Sequence, residues 1–176
     1  MPDPTLPTSL AKGKFLELVN DSGWEYVRRT KGSTPVGIAA MTQDSPPKVI
    51  LISQFRKPVG KICVEIPAGL VGDTHAAEEW QAAARRELEE ETGYTADRFE
   101  ELAEGPTSAG LTSELIKLVR AHGVRKIGDP TPDGDEQITV HEIPLPEIPA
   151  FLRGEQAKGH LLDPKVFAAL YFLTRG

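Results

Sequence analysis

Residues 72–94 read GDTHAAEEWQAAARRELEEETGY, and the spacing inside this stretch decides the fold. Trp80, Ala83, Ala84 and Leu88 recur at helical intervals and give a helix one buried side. Asp73 or Thr74 is placed to cap that helix, with Glu78 and Glu79 in its first turns, where acids favour the positive end of the dipole. Gly93 supplies the left-handed residue that ends it. Glu87, Glu90 and Glu91 stand at i, i+3 and i+4, so their carboxylates converge on one face. Like charges that close repel by about 1 kcal/mol per pair even in water. A positive centre is therefore expected among them. A hard divalent ion with oxygen ligands, Mg²⁺ or Mn²⁺, meets the demand, because such ions bind a few carboxylates and complete their shells with water and substrate phosphate. A solvated face is the plain alternative for a bare Glu run, and Glu89 is read that way.

The fixed positions are Gly72, Glu78, Arg86, Glu87, Leu88, Glu90, Glu91, Gly93 and Tyr94. Granting each polar or Gly position a frequency of roughly one in ten, a chance match is on the order of 10⁻⁷ per start site, so coincidence is set aside. The pattern resembles the Nudix box of hydrolases that cleave a nucleoside diphosphate linked to another moiety. The preceding stretch QFRKPVGKICVEIPAGLV, residues 54–71, resembles the segment before the box in ADP-ribose and ADP-sugar pyrophosphatases. The resemblance implies that Arg56 grips substrate phosphates, that the Ala68 carbonyl joins Glu87, Glu90 and Glu91 as metal ligands, and that Leu70 lines the pocket. It also implies that Arg86 holds Glu78 and keeps the acids in register, which puts Arg86 and Glu90 in the catalytic machinery. There is one departure. In the relatives the box usually starts at the Gly of PAG, here Gly69, but counting five residues on gives His75, whereas counting from Gly72 gives Glu78. Three extra residues thus precede the helix, in a loop holding Asp73 and His75.

GKFLEL and WEYVRRTK resemble the strands that supply two aromatic rings and a basic residue to the adenine pocket of human-type ADP-sugar pyrophosphatases. The resemblance implies that Phe15 and Trp24 sandwich the base, one donated by the second subunit of a homodimer, with Glu25 and Arg29 nearby. The alternative is that both rings are core residues of a hairpin. Arg28 alternates with Arg29, so only one of them faces a site. TSAGLTSE, residues 107–114, resembles a loop of the same subfamily and offers Ser108 and Glu114 to substrate or water. Glu136, four residues before Val140 in the segment GDPTPDGDEQ, occupies the offset of the subfamily's catalytic base, with Asp133 and Asp135 as rivals.

The chain's 176 residues suit one domain, 1–176, with a substantial core. A net charge of −6 argues against a nucleic-acid partner, which needs a basic face. Cys63, the sole cysteine, excludes an internal disulfide and reads as a buried strand thiol between Ile62 and Val64. The start MPDPTLPTSL lacks a signal-like pattern and no long apolar run follows, so no membrane partner and a cytoplasmic setting are expected.

Residues 1–10 read as loose and 11–30 as a hairpin turning at Asn20–Gly23. VGIAAM, VILISQF, KICVEI, residues 99–102, residues 115–119 and ITVHEI read as strands around the box helix. A short helix over residues 148–153 is expected to stop at Gly154, and a longer one to open at Asp163-Pro164 with Val166, Phe167, Leu170 and Tyr171 on one side. The fold implied is a Nudix-type α/β/α sandwich with a mixed sheet and an N-terminal β-hairpin. The function implied is Mg²⁺-dependent hydrolysis of ADP-ribose or a related nucleoside diphosphate sugar. Coenzyme A, dinucleoside polyphosphates and damaged nucleoside triphosphates are the alternatives within the family. A non-catalytic nucleotide-sugar sensor is the alternative outside enzymes.

Overall fold

A computed structural model describes residues 7–31, 34–72, 78–132 and 137–175. The chain opens with three antiparallel strands, β1 (Thr8–Lys12), β2 (Leu16–Asp21) and β3 (Trp24–Arg29). The hairpin β2–β3 runs from the pair Asp21–Trp24 at its turn to Leu16–Arg29 at its open end. The expected turn is present, with the Gly23 N–H donating to Asn20 Oδ1 at 3.0 Å. β1 is a correction, since residues 8–10 do not belong to a loose start. All five of its residues are exposed, so it carries no alternating pattern and is held by backbone pairing to β2.

The main sheet is built from β4 (Pro35–Met41), β5 (Lys48–Arg56), β6 (Lys61–Glu65), β7 (Ala68–Leu70), β9 (Arg98–Pro106), β10 (Leu115–His122), β12 (Thr139–Pro144) and β13 (Leu161–Leu162). The short β8 (Tyr94–Thr95) and β11 (Arg125–Lys126) pair with each other. Along the main path the order is β13-β6-β5-β4-β10-β9, with β12 on β5 and β7 on β4. The β4–β10 and β6–β13 pairs are parallel and the other pairs antiparallel, so the sheet is mixed.

Three helices cover it: α1 (Trp80–Thr92), α2 (Ile148–Ala157) and α3 (Pro164–Arg175). Strand alternation sorts the side chains. Val36, Ile38 and Ala40 of β4 and Ile50 of β5 pack with Ala83, Ala84 and Leu88 of α1. Ala39, Val49 and Leu51 point the other way, into a second core with Leu152 of α2 and Val166, Ala169 and Leu173 of α3. The architecture is the expected α/β/α sandwich.

β4 pairs with β5 at Ala40–Ile50 and Met41–Val49, then diverges. Near its start the same edge of β4 takes β7 instead, from Pro35–Leu70 to Gly37–Ala68. The change of partner splits the sheet and brings the segment before α1 alongside the beginning of β4.

The helices depart from the sequence reading in three places. α1 begins at Trp80 with Glu79 in extended backbone at its N-cap and no side-chain cap, so Glu78 and Glu79 precede the first turn. Asp73, Thr74 and His75 lie outside the described residues. α2 continues through Gly154 to Ala157. A mid-helix Gly costs about 1 kcal/mol, which is offset there by burial of Leu152 and by Glu155, buried and bonded to Lys158 and to His160. On α3 the buried face is Val166, Ala169 and Leu173, whereas Phe167 and Tyr171 are more than half exposed.

The C-terminal end of α1 follows the sequence closely. Gly93 adopts φ 72° and its N–H donates to the Glu89 carbonyl at 2.9 Å. Its own carbonyl receives the N–H groups of Ile127 and Gly128, and a Cβ there would overlap the Gly128 carbonyl oxygen. Gly93→Ala meets the left-handed penalty of about 1–2 kcal/mol and a backbone clash as well. The melting temperature should fall by about 5–10 °C, at roughly 2–4 °C per kcal/mol for a chain of this size. Thermal unfolding followed by circular dichroism measures this, and an unchanged midpoint would refute the packing.

Candidate active site

The cleft opens where β4 and β10 begin, with a volume of about 410 Å³. Its floor is the acid face of α1, with Glu87 and Glu90 half-buried and Glu91 buried, brought together as their helical spacing requires. β7 supplies Ala68, Gly69 and Leu70 beside them. The Ala68 N–H donates to Glu91 Oε2 at 2.9 Å, and Glu91 is buried although ionisable. Gly69 is not a special turn residue. It sits in a strand, and a Cβ there would occupy the space of the Glu87 carboxyl group.

Arg86 binds the arrangement together. Its Nε donates to Glu78 Oε1 at 3.1 Å, Nη1 to Glu87 at 2.8 Å and to Glu90 at 3.0 Å, and Nη2 to the Leu70 carbonyl at 3.2 Å. Glu78 in turn accepts the Gly72 N–H at 3.0 Å. Burial works against the guanidinium charge, but Glu78, Glu87 and Glu90 outweigh it and hold the pKa above its ordinary value. The pairing also explains why Glu78 stands outside the helix: it ties the loop to Arg86. Glu89, read as solvated, accepts a bond from the Thr95 hydroxyl at 2.6 Å.

Cations flank the acids on two sides. Arg56, at the end of β5, lies on the β6–β13 side, and Glu65 accepts from its Nε at 2.8 Å and from its Nη2 at 2.5 Å. That bonding raises the Arg56 pKa against the cost of burial. Across the cleft Arg29 pairs with Glu114, and both line it. Arg28 pairs with Glu17 and does not line this cleft. Lys165, from the first turn of α3, also lines the cleft and was not anticipated. Neither was Glu65, whose one signal is an acid between the apolar Val64 and Ile66. Nothing local to Lys165 marks it.

The remaining candidates stand outside this cleft. Ser108 does not line it, whereas its neighbour Thr107 does. Glu25 is exposed on β3. Phe15 and Trp24 are 67% and 62% exposed, so neither is a core residue of the hairpin. They also sit at opposite ends of it: Trp24 opposes Asp21 at the turn, and Phe15 accepts a bond from the Thr30 N–H at the open end. Five residues of strand span about 17 Å. One chain therefore does not bring the two rings onto one base. Glu136, Asp133 and Asp135 lie outside the described residues.

The donor set fits a hard divalent cation: three carboxylates and the Ala68 backbone in one cleft, with the space beside Glu87 kept free by Gly69. Among the described residues no three such groups are gathered round one point as they stand, because Arg86 and Ala68 hold them. Residues 33–164 match the NUDIX domain, and the chain belongs to that family. It is an enzyme of the diphosphatase type, in a family whose members generally work with divalent metal. The chain is 34% identical over 139 residues to a methanol dehydrogenase activator of Bacillus methanolicus, covering 78% of this chain and 70% of that protein. It is 31% identical over 140 residues to an ADP-ribose pyrophosphatase of Bacillus subtilis, covering 79% and 72%. A crystal structure of an ADP compounds hydrolase superposes with a TM-score of 0.69 at 21% identity, over 96% of this chain and 90% of that one, and supports the fold. Among the described residues no helix is long and apolar enough to cross a membrane.

Proposed function

We propose that residues 1–176 form one domain that hydrolyses the diphosphate of ADP-ribose or a related nucleoside diphosphate sugar, giving a nucleoside monophosphate and a sugar phosphate. The observation that carries the reading is the single cleft in which Glu87, Glu90 and Glu91 face Ala68 and the guanidinium of Arg56. Glu87, Glu90, Glu91 and the Ala68 carbonyl would hold Mg²⁺, with Mn²⁺ as substitute, and the bound ion would neutralise the diphosphate and make a bound water more acidic. Arg86 keeps the acids in register, and its bonds to Glu87 and Glu90 would give way where those carboxylates hold the ion. Arg56 steadies charge on the phosphates. Glu136 takes the proton from the attacking water, a role supported by its sequence offset. Two chains build the base pocket, a reading supported by the separation of Phe15 from Trp24 within one chain, with Glu25 and Arg29 beside it. A small-molecule substrate, a homodimer and a cytoplasmic setting complete the reading.

The deciding experiment is turnover of ADP-ribose, UDP-glucose and nucleoside triphosphates side by side, with products identified. Faster release of monophosphate from a triphosphate than from either sugar nucleotide overturns the substrate class. For the base, Glu136→Gln should lower kcat by about 10²- to 10⁴-fold while substrate and Mg²⁺ affinities hold. If Asp133→Asn or Glu114→Gln abolishes turnover and Glu136→Gln does not, the base is that other residue.

A further inference from the structure

We infer that Lys165 binds the phosphate of the non-nucleoside half of the substrate, opposite the end that takes the base. The inference rests on the proposed diphosphate substrate and adds a residue from α3.

The strand order gives the cleft its direction. On one flank lie Arg29 of β3 and Glu114, which precedes β10. The acids and β7 occupy the middle. On the other flank lie Arg56 of β5 and Lys165, beyond the β6–β13 pair. Phe15 lies at the Arg29 end of the hairpin, so a base that stacks on it enters from that flank. A diphosphate centred on the acids then directs its second phosphate and sugar toward Arg56 and Lys165.

Lys165 is fixed rather than trailing in solvent. β13 pairs with β6, and the Asp163 N–H donates to the Val64 carbonyl at 2.9 Å, which anchors the start of α3 to the sheet. Asp163 Oδ1 then caps the helix by accepting the Lys165 N–H at 2.7 Å, and its other oxygen pairs with the Lys165 ammonium. Lys165 remains partly exposed and lines the cleft, where its ammonium is a point charge with donors to spare for a phosphate oxygen. Arg56 has two of its nitrogens committed to Glu65, so a second cation on this flank supplies what Arg56 alone does not.

The test compares the wild type with Lys165→Met and Lys165→Arg, using ADP-ribose and UDP-glucose, with thermal unfolding as the check on folding. Loss of one charge-assisted contact should raise KM by roughly 10- to 100-fold for Lys165→Met. The rise should be similar for both substrates because the contact ignores the base, with kcat little changed and Lys165→Arg restoring most of the affinity. Calorimetric binding of inorganic pyrophosphate in chelator should weaken in Lys165→Met alone. An unchanged KM on both substrates overturns the inference, and so does a rise confined to one base. If the wild type cleaves neither sugar nucleotide, the substrate reading fails on its own, and equal pyrophosphate affinity in wild type and Lys165→Met then removes the lysine as a phosphate ligand.

Discussion

Glu91→Gln is expected to keep the fold and lose most of the activity. The amide still offers an oxygen to the Ala68 N–H, so the bond that pins β7 to α1 survives. A negative ligand is lost from the face proposed to hold the metal. If the metal contributes several kcal/mol to the barrier, the loss in kcat is about 10²- to 10³-fold or more, at 1.36 kcal/mol per decade. Steady-state kinetics at saturating Mg²⁺, with a melting curve beside them, measure both halves of the expectation. Near-normal kcat would remove this cluster from the mechanism.

Gly69→Ala should be nearly as damaging by a different route. The added methyl would fall on the Glu87 carboxyl group, which is the far end of a flexible side chain. The side chain can swing aside, so the backbone of β7 and the melting temperature should change little. The carboxylate then leaves the position set by Arg86 and the cleft. A displaced metal ligand should cost about 10²-fold or more in kcat, because small misplacements near the reacting atoms already cost that much. The Mg²⁺ concentration for half-maximal rate should also rise. A Gly69→Ala protein with full activity would show that Glu87 is not needed where the structure puts it. A variant that fails to fold would show the strand to be less tolerant than the contacts indicate.

What the sequence makes legible is what local periodicity encodes. α1 and its buried stripe follow from residue spacing, and its end from Gly93, because both are properties of consecutive residues. Six strands of the main sheet are legible for the same reason, whereas β7 and β13, three and two residues long, are too short to show a period. β1 escapes because TSLAK buries nothing, and backbone pairing leaves no trace in side-chain type. The start of α1 is misread because Glu78 answers to Arg86, a partner a turn and more into the helix, rather than to the helix terminus. The cleft divides likewise. The acids lie within five residues of one another and declare themselves. Arg56, Ala68 and Leu70 were reached through resemblance. Lys165 stands far from the box in sequence and joins it through β13 and the start of α3, so no window of the chain contains the relation.

The three N-terminal strands lie ahead of the residues matched by the family domain, which begin at 33. They meet the body through β3: Val27 exchanges backbone hydrogen bonds with Leu111 and Ser113, and Arg29 reaches Glu114. On the proposed reading this sheet carries the base pocket on strands separate from the acid helix. With the base bound there as proposed, mutations on its exposed side would retune which nucleoside is welcomed, while the acid helix and its arginine stay as they are. If the base pocket lies there as proposed, grafting residues 7–31 between relatives would move base preference from one such enzyme to another without rebuilding the chemistry.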